Sequence, residues 1–368
     1  MAGGLCEVGN HDVADKYRQG TWLAPQVVLA RPAAMILLTG FYGEGNLGDE
    51  AILEGLLRTL PSTVSLAVTA GREGLNGIGR RFGSDSPSLL GNRVFQTLPR
   101  RGFDGFAAFL SALPRARAVV MSGGILQDWS VEGVSFWALR LFAARLFRRP
   151  AFLLGCGLGP LRSTAACTVT RKALQAVTEA WLRDSPSFDL YRDLGGRHGF
   201  LGTDFSWAIP VSEPTSAIVS AGIGINLRPW GDPVFAQLAH RDRQNYPGSP
   251  PITAIVARAE DARPWREGPK PHWELIPGGF ADLVSGCRVL AEGWAMRYHV
   301  VLAMLRAGIP VRALCYDDKV LTLARAAGLV TPGEGHISGT ARRVPLAFLQ
   351  EQRQRLEHMQ AACRERWR

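Results

Sequence analysis

The chain has 368 residues, is 46% hydrophobic and carries a formal net charge of +10, which marks a globular protein with room for two ordinary α/β cores. No apolar run reaches the roughly 20 residues that span a bilayer; the nearest, Phe136 to Leu154, is broken by Arg140, Arg145, Arg148, Arg149 and Pro150. The positive charge comes almost wholly from arginine, a fork suited to carboxylates and phosphates. Anionic partners are therefore expected, the bland reading being arginine spread over a solvated surface, and nucleic acid is not, since no basic cluster interleaved with aromatics is present.

Residues 1–34 form an irregular extension without the apolar core of a signal peptide, which predicts a cytoplasmic protein. After it, strand and helix signals alternate, predicting an α/β fold of two Rossmann-like, doubly wound parallel-sheet domains facing a cleft. Strands are expected at Met35 to Thr39, Val64 to Thr69, Ala118 to Ser122, Ala151 to Gly155 and Gly199 to Leu201. Helices are expected at Asp49 to Leu60, Ser135 to Phe147 and Ala165 to Leu182. The polar link Ile209 to Ser216 separates a first domain, 35–215, from a second, 216–341. The second has strands at Ile223 to Leu227, Ile252 to Val256, Arg288 to Ala291 and Val311 to Leu314, with helices at His299 to Ala307 and Lys319 to Ala327. Residues 342–368 form a helix laid across the domains. For this helix and for Phe136 to Arg149, a basic membrane-surface helix is the alternative. Six cysteines without a CxxC pair or a disulfide-like spacing fit a reducing compartment and no structural zinc.

The segment FYGEGNLGDEAIL, Phe41 to Leu53, joins the first strand to a helix through glycines at 43, 45 and 48. Such a turn allows positive φ and close backbone approach, and a helix start offers N–H groups and a positive dipole end to a phosphate or carboxylate, the alternative being a purely structural tight turn. It also matches the dinucleotide fingerprint, but VSLAVTAG, Val64 to Gly71, lacks the acidic residue a dinucleotide needs, so no redox cofactor is expected. SGGILQD (Ser122 to Asp128) and GCGLGPL (Gly155 to Leu161) likewise follow apolar strands, where doubly wound sheets place their ligands. Then come LRDS (Leu182 to Ser185), TDFSW (Thr203 to Trp207), GINLRPW (Gly224 to Trp230), AMRYH (Ala295 to His299) and YDDKV (Tyr316 to Val320).

Taken in order, these segments resemble the polysaccharide pyruvyl transferase family, with its GNxGDE loop, GGGxLQD turn, GxGIGP, RDS, TxDP, RPW, MRLH and YDPKV-like pieces, across about residues 35 to 330. The resemblance implies a fold like that of two-domain GT-B glycosyltransferases. It also implies transfer of an enolpyruvyl-derived group from phosphoenolpyruvate, a co-substrate rather than a cofactor, onto sugar hydroxyls as a ketal. The acceptor would be a cell-surface polysaccharide or its lipid-linked precursor, with peripheral contact at the inner face of the membrane. Ser122, Tyr298, Phe205 and Asp318 depart from the pattern. More seriously, Gly231 to Pro271 is interrupted by Pro247, Pro250, Pro251, Pro264, Pro269 and Pro271 and keeps Glu260 and Asp261 of a QHPED-like segment without its histidine. Proline at that density breaks helices, so a shortened second domain is expected.

Pyruvyl transfer needs an anion clamp, an acid for the enol carbon, a base for the attacking hydroxyl and a sugar site. Arg297 and Arg228 suit the clamp, and His299 suits proton exchange near neutral pH, the alternative being a capping or buried histidine. Asp204 and Asp128 are placed to orient sugar hydroxyls or to cap helices. Asn46 and Asp49 are ligand contacts or turn and helix punctuation, and Lys319 adds charge at the mouth or is an ordinary exposed lysine. Gly45, Gly48, Gly124 and Gln127 complete the expected substrate contacts, and no metal-ligand spacing is present. Two other readings share the architecture: a nucleotide-sugar glycosyltransferase and a noncatalytic sugar- or partner-binding relative.

Overall fold

The computed structural model describes residues 35–71, 74–79, 81–82, 94–128, 131–211, 222–230, 234–244, 248, 250–268, 270–331 and 340–367. The 1–34 extension and most of the 209–216 link lie outside them. The first half runs β1 (Met35–Thr39), α1 (Leu47–Thr59), β2 (Ser65–Ala70), α2 (Leu75–Gly79), β3 (Phe95–Pro99), α3 (Gly102–Ala112), β4 (Ala116–Ile125), α4 (Val131–Leu146), β5 (Ala151–Leu158), α5 (Thr164–Leu174), β6 (Val177–Leu182), α6 (Ser185–Asp193) and β7 (Gly199–Leu201). Its strands form one seven-stranded parallel sheet in the order β3-β2-β1-β4-β5-β6-β7.

The second half runs β8 (Ile223–Asn226), α7 (Val234–Gln244), β9 (Ile252–Ile255), α8 (Arg263–Glu267), β10 (Trp273–Leu275), α9 (Phe280–Arg288), β11 (Glu292–Ala295), α10 (Tyr298–Ala307), β12 (Val311–Ala313) and α11 (Asp318–Ala326). Its five-stranded parallel sheet has the order β10-β9-β8-β11-β12. The chain is thus α/β with two Rossmann-like parallel sheets. Each sheet reverses its strand order once, between β1 and β4 and between β8 and β11, and ligands bind such sheets outside the carboxyl ends of the strands at that switch.

On one face of the first sheet, Phe109 of α3, Trp137 and Leu141 of α4 and Leu174 of α5 enter one core. On the other, Ile52 and Leu56 of α1 pack with Leu356, Met359 and Trp367 from α12 (Leu346–Arg366) and its end. At its opposite end α12 sends Phe348 into the core around the second sheet, which also receives Leu47 and Ala51 of α1. Burying each such large side chain contributes about 1.5–3 kcal/mol, so α12 ties the two halves together. Among the described residues no helix is long and apolar enough to cross a membrane.

Three sequence expectations are corrected. The helix expected over Ala165 to Leu182 stops at Leu174, and VTEAWL becomes β6, because Val177, Ala180 and Leu182 turn inward and the segment pairs with β5. Arg288 ends α9, and the strand expected at Arg288 to Ala291 lies at β11, where Glu292–Ala295 meets β8 in register. In the proline-rich region α7 forms over Val234–Gln244, a stretch without proline, and Pro264 sits in the first turn of α8, where its missing N–H costs nothing. Proline there punctuates the helices rather than abolishing them.

Candidate active site

A cavity of about 270 Å³ opens where the two sheets face each other, lined by the ends of β1, β4, β8 and β11 and by the helices that follow. Asn46, Gly48 and Asp49 line it from the start of α1, Gly124 and Gln127 from the end of β4, Arg228 from beyond β8, Arg297 and His299 from the start of α10, and Lys319 from α11. Nine of the expected contacts therefore surround one space. The other three, Gly45, Asp128 and Asp204, do not line it.

The start of α1 does not present the open amides expected of an anion site. The helix begins at Leu47, two residues earlier than expected, with Asn46 as its cap. The Leu47 N–H donates to the Ala257 carbonyl across the cleft, Gly48 N–H to Asn46 Oδ1, and the Asp49 and Glu50 N–H groups to the Asn46 carbonyl. The N–H groups of Leu47, Gly48 and Asp49, which lack ordinary helix partners, are thus satisfied within the protein, and the Glu50 N–H makes the first helix bond. Burial raises the Asp49 carboxyl above the ordinary aspartate range, although His299, Asn46 and Lys319 pull it the other way. Gly43 and Gly45 adopt φ of 73° and 63°, whereas Gly48 serves close approach: a Cβ there would lie 2.1 Å from His299 Nδ1.

His299 stands in the first turn of α10 with Nε2 3.3 Å from Asp204 Oδ2. Neither atom has a hydrogen-bonding partner among the described residues. Asp204 is 1% exposed. Its Oδ1 accepts from the Ser206 N–H and Oγ–H, and Arg183 Nη1 lies 3.6 Å from Oδ2. Burial by itself would raise the Asp204 carboxyl, but His299, Arg183 and Ser206 outweigh it and hold the group well below the usual carboxylate range. Asp204 therefore backs the imidazole from behind the cavity and is not among its lining residues. Nε2 turns to this carboxylate, and Nδ1 faces Gly48 at the start of α1.

Arg297, two residues earlier, is 8% exposed and caps α10. Its Nε donates to both carboxylate oxygens of Asp261, at 2.8 and 2.7 Å, and its Nη2 to Glu260 Oε1 at 2.7 Å and to Asp261 Oδ1. Asp261 also accepts from Asn226 Nδ2 and the Arg258 N–H. Burial would lower the Arg297 guanidinium, but Asp261 and Glu260 raise it overall. Much of its hydrogen-bonding edge is thus committed to protein carboxylates. Arg228 is more open: its Nη1 donates to Tyr316 Oη, its Nε lies 3.8 Å from Glu260, and its guanidinium stands over the rings of Trp230 and Tyr316. Arg101, Arg183 and Arg258, not singled out in the sequence, line the same space. For Arg183 a signal existed in LRDS, and for Arg258 in its place at the histidine position of the QHPED-like segment; for Arg101 none did.

Asp128 accepts from the Arg162 and Ser163 N–H groups at 3.1 and 2.7 Å, bonds that hold its carboxyl below the ordinary value and fix the turn into α5. Lys319 lies 3.2 Å from Asp317, the cap of α11. Among the described residues no cluster of histidine, cysteine and carboxylates could hold a metal.

Residues 46–274 match the sequence model of the polysaccharide pyruvyl transferase family. The chain belongs to that family. No curated protein sequence matches it. Among solved structures it is similar to the UDP-GlcNAc 2-epimerase of Neisseria meningitidis bound to UDP-GlcNAc, at 13% identity over 81% of this chain and 87% of that one, with a TM-score of 0.53. S. aureus MnaA with UDP is similar at 12% identity over 80% and 83%, TM-score 0.54. Anabaena HepE with UDP-glucose is similar at 13% identity over 90% and 95%, TM-score 0.51. At these identities the likeness shows the fold alone, the GT-B type of two facing α/β domains. The family member described here departs from the motif pattern without loss of packing: Ser122 Oγ–H donates to the Leu154 carbonyl at 2.6 Å, and Phe205 is fully buried against α1.

Proposed function

We propose that this chain transfers a pyruvyl group from phosphoenolpyruvate to two hydroxyls of a saccharide, forming a cyclic ketal and releasing phosphate. The observation that carries the reading is the His299–Asp204 pair at the head of a cation-rich cleft in a chain of this family. Protonation of the enol carbon leaves a cationic centre at the carbon bearing phosphate. One sugar hydroxyl adds to that centre and a second displaces phosphate, so one hydroxyl proton replaces the proton given to carbon and the other leaves with the phosphate. His299 gives and recovers the proton through Nδ1, and the buried Asp204 carboxylate orients the ring and stabilises its cationic form.

Arg228, with Arg258 and Lys319 nearby, holds the phosphate and carboxylate. Arg297 anchors the wall on which Arg228 stands and turns its remaining edge to the substrate. Gln127 and Asn46 offer hydrogen bonds to the sugar. The acceptor is part of a cell-surface polysaccharide or its lipid-linked precursor, met at the cytoplasmic face of the membrane, and the reaction uses no redox cofactor.

The test is incubation with labelled phosphoenolpyruvate and a panel of soluble and lipid-linked saccharides. The expected result is phosphate release with an acid-labile pyruvyl ketal on the saccharide. Saccharide binding without phosphate release from any acceptor would replace the enzyme with a binding protein, and turnover of a nucleotide sugar in its place would identify a glycosyltransferase.

A further inference from the structure

Helix α4 buries one side completely. Val134, Trp137, Ala138, Leu141 and Ala144 enter the core on the first sheet, and Arg140 is buried over the ring of Phe136. Its other side is not a polar surface. Leu139, Phe142 and Leu146, spaced three and four residues apart and so aligned along one stripe, are 50%, 38% and 79% exposed. Phe147 continues the stripe past the helix end. A soluble helix facing water carries charged or polar residues at such positions.

The chain that follows is basic, although α3, packed on the other side of α4, exposes Asp104. Between Glu132 and Glu179 the chain contains no acidic residue. Arg145 and Arg148 flank the stripe and are exposed, and α5, packed beside α4, exposes Arg171 and Lys172. Apolar side chains beside exposed cations fit the boundary of an anionic bilayer, where the apolar groups enter the acyl edge and the guanidinium groups meet lipid phosphates. A second protein copy would have to bring an acidic apolar face to this surface, and the same stripe on that copy is basic.

We infer that the α4 face docks this protein on an anionic lipid surface. The inference deepens the reading of a lipid-linked acceptor and rests on it only for what is modified there; none of the stripe residues lines the cleft. Lipid charge supplies attraction that salt screens, and the apolar stripe supplies a part that salt does not.

The experiment is co-sedimentation of the full chain with vesicles of phosphatidylcholine alone or with roughly a third phosphatidylglycerol. Wild type is expected to bind the anionic vesicles and to be partly released by salt. Phe142→Gln/Leu146→Gln and Arg145→Glu/Arg148→Glu are each expected to weaken binding about tenfold or more, with unchanged melting temperature and unchanged phosphate release on a soluble saccharide. Wild type that stays in the supernatant, or double variants that sediment like wild type, would overturn the inference. So would a dimer dispersed by Phe142→Gln/Leu146→Gln without vesicle binding. Vesicle binding by a protein that releases phosphate with no acceptor would leave the docking face standing and remove the catalytic reading instead.

Discussion

The two walls of the cleft are built alike, each from a parallel strand running into a helix at a topological switch, yet they carry charge differently. On the first-domain wall the N–H groups of Leu47 to Glu50 are bonded within the protein, and the side chains there mix the carboxylates of Glu44 and Asp49 with the guanidinium groups of Arg101 and Arg183. On the second-domain wall Arg228, Arg258, Arg297 and Lys319 gather around His299. A glycine-rich strand–helix turn is an anion site only while its donors remain unpaired. Here docking of the second domain supplies the Ala257 carbonyl and takes one of them away. On the mechanism proposed above, the cations of the facing wall hold the anion that such a turn holds in other α/β proteins.

Removing charge from that wall separates its buried anchor from its exposed clamp. Arg297→Ala strands Asp261 in the interior with only Asn226 and a backbone N–H, and losing one partner of such a pair costs about 3–5 kcal/mol. Arg228→Ala removes a part-exposed group and is expected to leave stability within about 1 kcal/mol while weakening phosphoenolpyruvate binding. Urea unfolding and titration calorimetry on both variants check this; equal stability losses would erase the distinction between anchor and clamp.

A smaller effect sharpens the account of the other wall. Glu50, buried in α1, accepts from the Gly43 N–H at 2.8 Å. Burial pushes its carboxyl up to about 7 even against that bond, with the Asp49 charge adding to the rise. Its folded value exceeds its unfolded one, so the folded state binds more protons between about 4.5 and 7 and loses stability as pH rises through that range. Asp204 has the opposite sign: its depressed carboxyl stabilises the fold above the ordinary aspartate range, and that contribution is lost as pH falls below about 4. Urea midpoints of wild type and Glu50→Gln between pH 5 and 8 isolate the first contribution. The variant is expected to show a flatter profile, and identical slopes would place the Glu50 charge in solvent contact.

Strands with continuous apolar runs, such as Met35 to Thr39 and Ala151 to Gly155, were legible in the sequence because a parallel sheet buried on both faces needs them. β6 was not. Its VTEAWL alternates weakly and continues from a helix without glycine or proline to mark the change, so pairing with β5 decides its state. β3 follows a segment without periodicity and was also missed. In the site, six of the eight motif segments line one space, because each follows a strand and strands of one sheet end together; GCGLGPL and TDFSW contribute nothing to the lining. Partner choice was hidden. Asp261 lies 36 residues from Arg297, and Ala257 meets Leu47 across the cleft. Asp204 reads as a cap, which it is for the turn at Phe205–Ala208, and only folding shows its second oxygen turned to His299.

On this mechanism His299 moves the proton while the cations opposite the α1 wall hold the donor. The most direct measurement is phosphate release from phosphoenolpyruvate with a working acceptor by wild type and His299→Ala, paired with direct titration of phosphoenolpyruvate binding to each. The account predicts turnover lowered about 10²–10⁴-fold, with the donor dissociation constant changed no more than a few-fold. An alanine variant that keeps nearly full turnover, or one that loses donor binding in proportion to turnover, would contradict it.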